Sequence, residues 1–340
     1  MTVTVPVCLG PRSYSVEVGH GAIEALPGLI GKDVTRAAIV TQAAVGLAID
    51  PGVEHRVFTI GEGEKNKSLA TIEGLCGQFA QWGLNRADVV IGIGGGMVTD
   101  VAGFAASVYH RGLPVVYVST TLLGQIDAAI GGKTGVNLAE GKNLVGAYWQ
   151  PRGVVCDTDH LATLPSGELR SGMGELAKYH FLGAGRLDLL ELHERVARCV
   201  EIKAEVVAAD EREGGRRVTL NYGHTLAHAL EISGGFDLRH GEAVGIGLVY
   251  AAEVARRLGR IDADRVAEHR RVVGAYDLPM TVPPGHDLGE LVDLFARDKK
   301  AIDGVTLVLD GADGVEPVVG IGRDLLLDAL VEVAEPPRHS

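Results

Sequence analysis

Two histidines four residues apart, a third that can return beside them and a carboxylate–ammonium pair are the residues of this chain best suited to gathering a divalent cation. They stand in Asn221-Tyr222-Gly223-His224-Thr225-Leu226-Ala227-His228, Arg239-His240-Gly241-Glu242 and Gly174-Glu175-Leu176-Ala177-Lys178. His224 and His228 fall on one face of a helix, so a cation could collect at least two imidazoles with His240 returning from the next turn. Histidines so spaced serve equally as hydrogen-bonded polar neighbours. Glu175 and Lys178, as a solvated i,i+3 pair, would contribute only ~0.2–0.5 kcal/mol. The flanking Met173, Leu176, Ala177, Phe181 and Leu182 leave little room for a solvated face, and a buried pair calls for a function or a metal.

A second chemistry is that of phosphate. Gly92-Ile93-Gly94-Gly95-Gly96-Met97-Val98-Thr99-Asp100 follows a β-branched run and opens a helical one. Small residues at such a turn let backbone N–H groups approach a pyrophosphate at the positive helix end. The spacing departs from G-x-G-x-x-G, and tight packing asks for the same glycines. Cations also recur among glycines: Lys133 in Gly131-Gly132-Lys133-Thr134-Gly135, Lys142-Asn143, Lys203, Arg216-Arg217 and Asp298-Lys299-Lys300. Each alone reads as a solvated side chain, and several converging would clamp phosphate and carboxylate.

The elements that must position these residues divide the 340-residue chain in two, as its length suggests. Ala37–Thr41, Arg56–Ile60, Asp88–Ile93, Pro114–Ser119 and Gly153–Cys156 read as buried parallel strands, alternating with helices over Lys67–Trp82 and Val98–Tyr109, the latter with Asp100 in its first turn. After Pro165 the segments Glu168–Leu182, Leu187–Ala209, Thr219–Ile232, Gly241–Leu258 and Asp262–Tyr276 carry helical periodicity, and Val305–Leu309 with Val315–Val319 read as a hairpin across Gly311–Gly314. The expected fold is α/β, with an N-terminal Rossmann-like domain over residues 1–155 and a C-terminal, mainly α-helical domain over 156–340. The rhythm changes after Pro165, and the boundary between the domains is expected near Gln150-Pro151.

Composition narrows the partners. With 46% hydrophobic and 22% charged residues the chain reads as an ordered globular protein, and 32 Lys and Arg against 44 Asp and Glu leave a formal charge of −12. That balance repels nucleic acid and anionic membrane, so an anionic substrate needs a local basic pocket. Cys8, Cys76, Cys156 and Cys199 are widely spaced without a C-x-x-C pair, which suits reduced thiols in the cytoplasm. No leader-like or membrane-spanning run is apparent.

These motifs, with Arg111-Gly112, Ser119-Thr120-Thr121-Leu122-Leu123, Asp127, Gly131–Asn137 and Gly141-Lys142-Asn143-Leu144, resemble those of the 3-dehydroquinate synthase family in order and spacing from about Gly61 to Lys300. The resemblance implies a homodimer with an NAD-binding domain, a helical metal-binding domain and an active site in the cleft between them. It implies Glu175, His224 and His240 as ligands of Zn2+ (or Co2+). Around NAD it places Glu64, Lys67, Gly95, Gly96, Asp100, Thr120, Thr121, Leu123, Asp127, Lys142, Thr163, Leu164 and Glu168. Around the substrate it places Asp127, Lys133, Lys142, Asn143, Lys178, Lys203, Arg217, Asn221, His228, Lys299 and Lys300, with Arg111 reaching in from the partner subunit.

The implied substrate is a small anionic sugar-acid phosphate of seven carbons. NAD would transiently oxidise a ring hydroxyl, phosphate would leave by β-elimination, the hydride would return, and an intramolecular aldol step would close a carbocycle of the shikimate pathway. Departures stand at Thr41-Gln42-Ala43-Ala44, which lacks the acidic residue some relatives offer the adenine ribose, at Tyr179-His180-Phe181, where a glycine is usual, and at Met97-Val98-Thr99. An aminodehydroquinate synthase would keep nearly the same residues, whereas another sugar phosphate cyclase, acting on a substrate without a carboxylate, would tend to alter the Gly-Lys-Thr run around Lys133. A metal-dependent polyol dehydrogenase would need fewer cations, and an NAD- or metal-sensing regulator would bind without releasing phosphate.

Overall fold

The structure, a computed structural model, describes residues 2–234, 238–298 and 305–334, and the chain divides into two compact units. The first joins Met1–Leu169 to Glu191–Arg212. Its strands are β1 (Thr2–Val7), β2 (Tyr14–Gly19), β3 (Arg36–Gln42), β4 (Glu54–Ile60), β5 (Val89–Gly94), β6 (Val115–Ser119), β7 (Lys133–Leu138), β8 (Gly141–Tyr148) and β9 (Gly153–Asp157). Seven of them form one sheet in the order β1-β2-β9-β6-β5-β3-β4, parallel throughout except for the β1–β2 pair. The sequences of β5, β6 and β9 are apolar, interrupted by small or polar residues, and every position is buried, as strands covered on both faces require. β1 and β4 stand at the edges and expose most of their residues.

Helices α1 (Leu26–Ile30), α2 (Leu69–Trp82) and α3 (Gly96–Val108) belong to this unit. Ser68 caps α2 through its hydroxyl, which accepts from the Thr71 N–H, and Gly83 ends the helix in the left-handed region. α3 starts two residues earlier than its periodicity suggests, so Asp100 lies beyond its first turn. The chain leaves β3 towards β4 on one side and β5 towards β6 on the other. Such a reversal opens a crevice at the carboxyl ends of β3 and β5, the usual seat of a nucleotide in sheets of this kind.

The chain passes to the second unit within α4 (Ser166–Tyr179), but α5 (Leu192–Ala209) returns to the first. The sequence reading put all of residues 156–340 in the helical domain. The difference has a physical cause: α5 packs on β1 and β2 and buries Val196, Cys199, Val200 and Val207. Periodicity shows that a helix has an apolar face, not which sheet takes it.

The second unit comprises Arg170–Leu190 and Glu213–Ser340. It contains α6 (His224–Ser233), α7 (His240–Arg257), α8 (Ala263–Gly274), α9 (Leu288–Asp298), the antiparallel β10 (Val305–Leu309) and β11 (Glu316–Ile321), and α10 (Arg323–Glu332). Every residue of α7 from Ala243 to Ala255 is buried, so it is the core helix, packed by α6, α8, α10 and β10. Among the described residues, no helix is long and apolar enough to cross a membrane.

His269 of α8 is wholly buried in this core, with Nδ1 donating to the Arg265 carbonyl and Nε2 accepting from the Tyr222 hydroxyl, each at 2.8 Å. Burial pushes its pKa down from 6.5 to about 4. Between those values the unfolded chain takes up the proton and the folded one does not, so the contribution is whole above pH 6.5 and is lost as the pH falls towards 4. The thermal midpoint is expected to drop across that window, and to drop less in His269→Gln, which keeps an acceptor for Tyr222 but does not titrate. Equal slopes for the two proteins would refute the assignment.

Candidate active site

In the second unit, α4, α6 and α7 bring Glu175, His224 and His240 together, with one potential ligand atom from each within 4.8 Å of the others. His224 Nε2 lies 3.2 Å and His240 Nε2 3.1 Å from the same oxygen, Oε1 of the buried Glu175. The far nitrogens are held from behind. His224 Nδ1 donates to the Tyr222 carbonyl at 3.1 Å, and His240 Nδ1 lies 3.4 Å from Glu231 Oε1. Outer partners of this kind fix ring orientation and present Nε2 to a cation. Glu175 Oε2 is buried beside the Lys178 ammonium, its ion-pair partner, without a hydrogen bond of good geometry. Two imidazoles and one buried carboxylate are a donor set that fits a Zn2+ or Co2+ ion.

The electrostatics agree. Burial would raise the Glu175 pKa, but Lys178 and His224 together hold it well below the usual carboxylate range, so it is ionised. Burial lowers His224, leaving a neutral ring ready to ligate. His240 also loses solvation, yet its bonds to Glu175 and Glu231 outweigh that and raise it to about 10. A cation binding there must displace that proton.

A glycine adjoins each of the three ligands, and there the helix backbones touch. A Cβ on Gly174 would lie 2.2 Å from the Gly241 carbonyl oxygen, one on Gly241 would lie 1.9 Å from that of Ser171, and one on Gly247 would lie 1.9 Å from that of Gly223. Gly223, at φ 79°, also turns the chain into α6 just before His224. These contacts draw α4 and α6 onto α7 and set the ligand spacing. Gly174→Ala is therefore expected to cost about 1–3 kcal/mol of stability and to weaken Zn2+ binding, measured by thermal unfolding and chelator competition. Gly77→Ala in α2, where nothing lies within 4 Å of the added methyl, is the control expected to do neither.

In the first unit, Gly94, Gly95 and Gly96 form the turn from β5 into α3, with Gly95 as its N-cap. A Cβ on Gly95 would meet Thr121 Cγ2 at 2.8 Å, so tight packing and an open helix N-terminus both apply here. Thr120 N donates to the Gly94 carbonyl at 3.0 Å, and the Thr121 hydroxyl accepts from Gly124 N at 3.1 Å. Thr41 and Gln42 end β3 beside the turn; Gln42 Nε2 donates to the Gly61 carbonyl and reaches Met97 Sδ at 3.5 Å. Glycine N–H groups at a reversal of strand order are a fitting cradle for a dinucleotide.

Beside the turn, buried Lys67 donates to Asp100 Oδ2 at 2.5 Å and to Asn143 Oδ1 at 2.6 Å, while Glu64 accepts from Asn137 Nδ2 at 2.7 Å. Burial raises Asp100 to about 6 despite Lys67. Asn143 holds φ 58°, which asparagine tolerates, and its N–H donates to Asn137 Oδ1. Lys203 of α5 pairs with Asp127, Nζ to Oδ1 at 2.5 Å.

The expected residues thus gather in groups. Glu64, Lys67, Asp100 and Asn143 form one, Asp127 and Lys203 a second, Gly95, Thr120 and Thr121 a third, and Glu175, Lys178, His224 and His240 a fourth. Leu123 directly precedes the π-helical turn Gly124–Ala128 that carries Asp127. His228 is exposed, its ring 5.5 Å from that of His224, Arg217 is buried, and Asn221 Nδ2 donates to Glu213 Oε1 at 3.2 Å. Lys133 and Lys142 stand on β7 and β8, Thr163 and Leu164 at the end of a 3-10 turn, and Glu168 in the first turn of α4. Arg111 is exposed at φ 66° beside His110 at φ 51°. Lys299 and Lys300 lie outside the described residues. The sequence reading missed Asn137, Glu231 and the Tyr222 carbonyl. Glu231 could have been found three residues past His228 and seven past His224, on the same helical face.

Comparison with known proteins gives a consistent result. The N-terminal model of 3-dehydroquinate synthase matches residues 57–171 and its C-terminal model residues 172–301. The chain is 50% identical over 331 residues, 97% of its length and 94% of the relative's, to a provisionally named aminodehydroquinate synthase of Amycolatopsis mediterranei. It is 43% identical over 304 residues, 82% of each chain, to the 3-dehydroquinate synthase of Thermobifida fusca. Among solved structures it resembles 2-epi-5-epi-valiolone synthase of Streptomyces hygroscopicus with NAD+ and Zn2+ bound, at TM-score 0.81 and 27% identity over 96% of this chain and 98% of that one. 2-Deoxy-scyllo-inosose synthase, complexed with carbaglucose-6-phosphate, NAD+ and Co2+, shares the fold at TM-score 0.86 and 23% identity, over 97% and 100% of the two chains.

Proposed function

Because this chain belongs to the 3-dehydroquinate synthase family, we propose that it converts 3-deoxy-D-arabino-heptulosonate 7-phosphate to 3-dehydroquinate and phosphate, with resident NAD and Zn2+ or Co2+. The observation that carries this reading is the cluster of His224 and His240 around Oε1 of Glu175, with the Lys178 ammonium buried against Oε2 of the same carboxylate. When bound, NAD+ accepts and returns a hydride within each turnover, and the cation acts as a Lewis acid at the hydroxyl being oxidised.

Glu175, His224 and His240 would hold the cation, and the Gly94–Gly96 turn with Lys67, Asp100, Thr120 and Thr121 would hold the dinucleotide. Lys178 and Asp127 would orient the substrate hydroxyl, and Lys178 would hold a proton there. Lys133, Lys142, Asn221 and His228 would bind the phosphate, and Asn143, Lys203, Arg217 and the Lys299-Lys300 pair the rest of the anion. Positioning carries much of such catalysis, because a poorly held phosphate does not leave in the required geometry. The assembly in this reading is a cytoplasmic homodimer to which Arg111 contributes across the subunit boundary.

The test is incubation with the seven-carbon phosphate, catalytic NAD+ and Zn2+ or Co2+, following inorganic phosphate and the cyclic product. Equal release of both without net NADH supports the proposal. Net NADH from a polyol, or binding without phosphate release, would overturn it in favour of a dehydrogenase or a sensor. A second reading, aminodehydroquinate formation, is favoured by the relative at 50% identity. The ratio of kcat/KM for the amino and hydroxy substrates decides between them.

A further inference from the structure

We propose that His269, on α8 and away from the ligand set, is a positioning residue for the cation site, acting through Tyr222 on His224. The inference rests on the reading of Glu175, His224 and His240 as that site. The path is short and continuous. His269 Nε2 accepts the Tyr222 hydroxyl at 2.8 Å, and the carbonyl of the same Tyr222 accepts from His224 Nδ1 at 3.1 Å. His224 Nε2 then faces Glu175 Oε1 at 3.2 Å. Tyr222 is therefore held at both ends, by its hydroxyl in the core and by its carbonyl at the ligand.

Each link has one available direction. The Arg265 carbonyl can only accept, so His269 Nδ1 carries the proton and Nε2 is the acceptor. The ring cannot turn to any other use: it stacks on Phe181 at 3.7 Å between centroids and 3° between planes. Arg265, whose carbonyl fixes the tautomer, is itself held by Asp310 at 2.6 Å and by Glu268 at 2.8 Å. A residue that served packing alone would not need a polar ring with both nitrogens used in a wholly buried position.

The test measures Zn2+ affinity of the metal-free full chain by competition with a chromophoric chelator, together with the visible absorption band of the Co2+ form. Tyr222→Phe removes one hydroxyl, and His269→Phe removes both nitrogens while keeping the stack. Each is expected to weaken Zn2+ binding about 10-fold and to shift the Co2+ band, and the double variant to do no more than either alone. His269→Gln and His269→Asn separate the two bonds: Gln reaches the Tyr222 hydroxyl and restores affinity, whereas Asn reaches only the Arg265 carbonyl and does not. This pair decides the matter should a Phe variant fail to fold. Unchanged affinity and spectrum in the variants, with only a lower unfolding temperature, would overturn the inference. Failure of the wild-type protein to bind either cation would instead sink the reading on which it rests.

Discussion

Glu175→Gln is expected to abolish cation binding and to lower turnover on the order of 10³-fold or more, the scale on which a Lewis acid stabilises a developing charge. Glu175 is the only one of the three ligands that both histidines face, through a single oxygen. Replacing that oxygen's charge removes the anion that offsets a divalent cation, and leaves the buried Lys178 without its partner. The second effect lowers stability and could itself reduce activity, so the chelator experiment accompanies it. Removing the cation from the wild-type protein leaves the sequence untouched, and should abolish turnover until Zn2+ or Co2+ is returned. Full activity of a demonstrably metal-free preparation would overturn the ligand assignment. Metal content and phosphate release are measured on the same samples.

The same residues show what can be read before a structure exists. The ligand types and the four-residue spacing of His224 and His228 are visible, and the resemblance already favours His224; in the structure His224 stands beside Glu175 and His240, and His228 is exposed. Spacing alone does not choose between them, because that choice depends on which side of α6 meets α7. The glycines beside the ligands carry no distinctive signal alone, because a close approach is a property of two segments. The Tyr222 contribution is a backbone carbonyl, and no residue type announces it. β3, β5, β6 and β9 were apparent because burial on both faces writes a run of apolar, β-branched residues. β7 and β8 were not. Their glycines look like loop signals, whereas a Cβ on Gly146 would sit 2.0 Å from the Thr134 carbonyl oxygen and one on Gly135 2.7 Å from that of Val145. Glycine is what lets these two strands meet. α9 and α10 were also unread, since their packing partners define them as much as their periodicity does.

Lys178→Ala is the second substitution with a large expected effect: turnover falls by about 10²–10⁴-fold, the usual contribution of a positioned proton-bearing group, while NAD and the divalent cation still bind. Lys178 is buried against Glu175, three residues earlier on α4, in the core of the second unit. Its removal takes away one of the two cations that face Glu175, the other being the protonated His240, and costs up to about 3–5 kcal/mol. That cost should appear mainly in the metal-free protein, since a bound cation supplies the missing charge. Adding Zn2+ should therefore raise the unfolding temperature of the variant more than that of the wild type. Lys178→Met, which keeps most of the volume, separates the lost charge from the cavity and should show the same pattern. A variant that folds, binds both NAD and Zn2+ and turns over at the wild-type rate would remove Lys178 from the chemistry. A variant stabilised by Zn2+ no more than the wild type would show that its ammonium and the cation do not share Glu175.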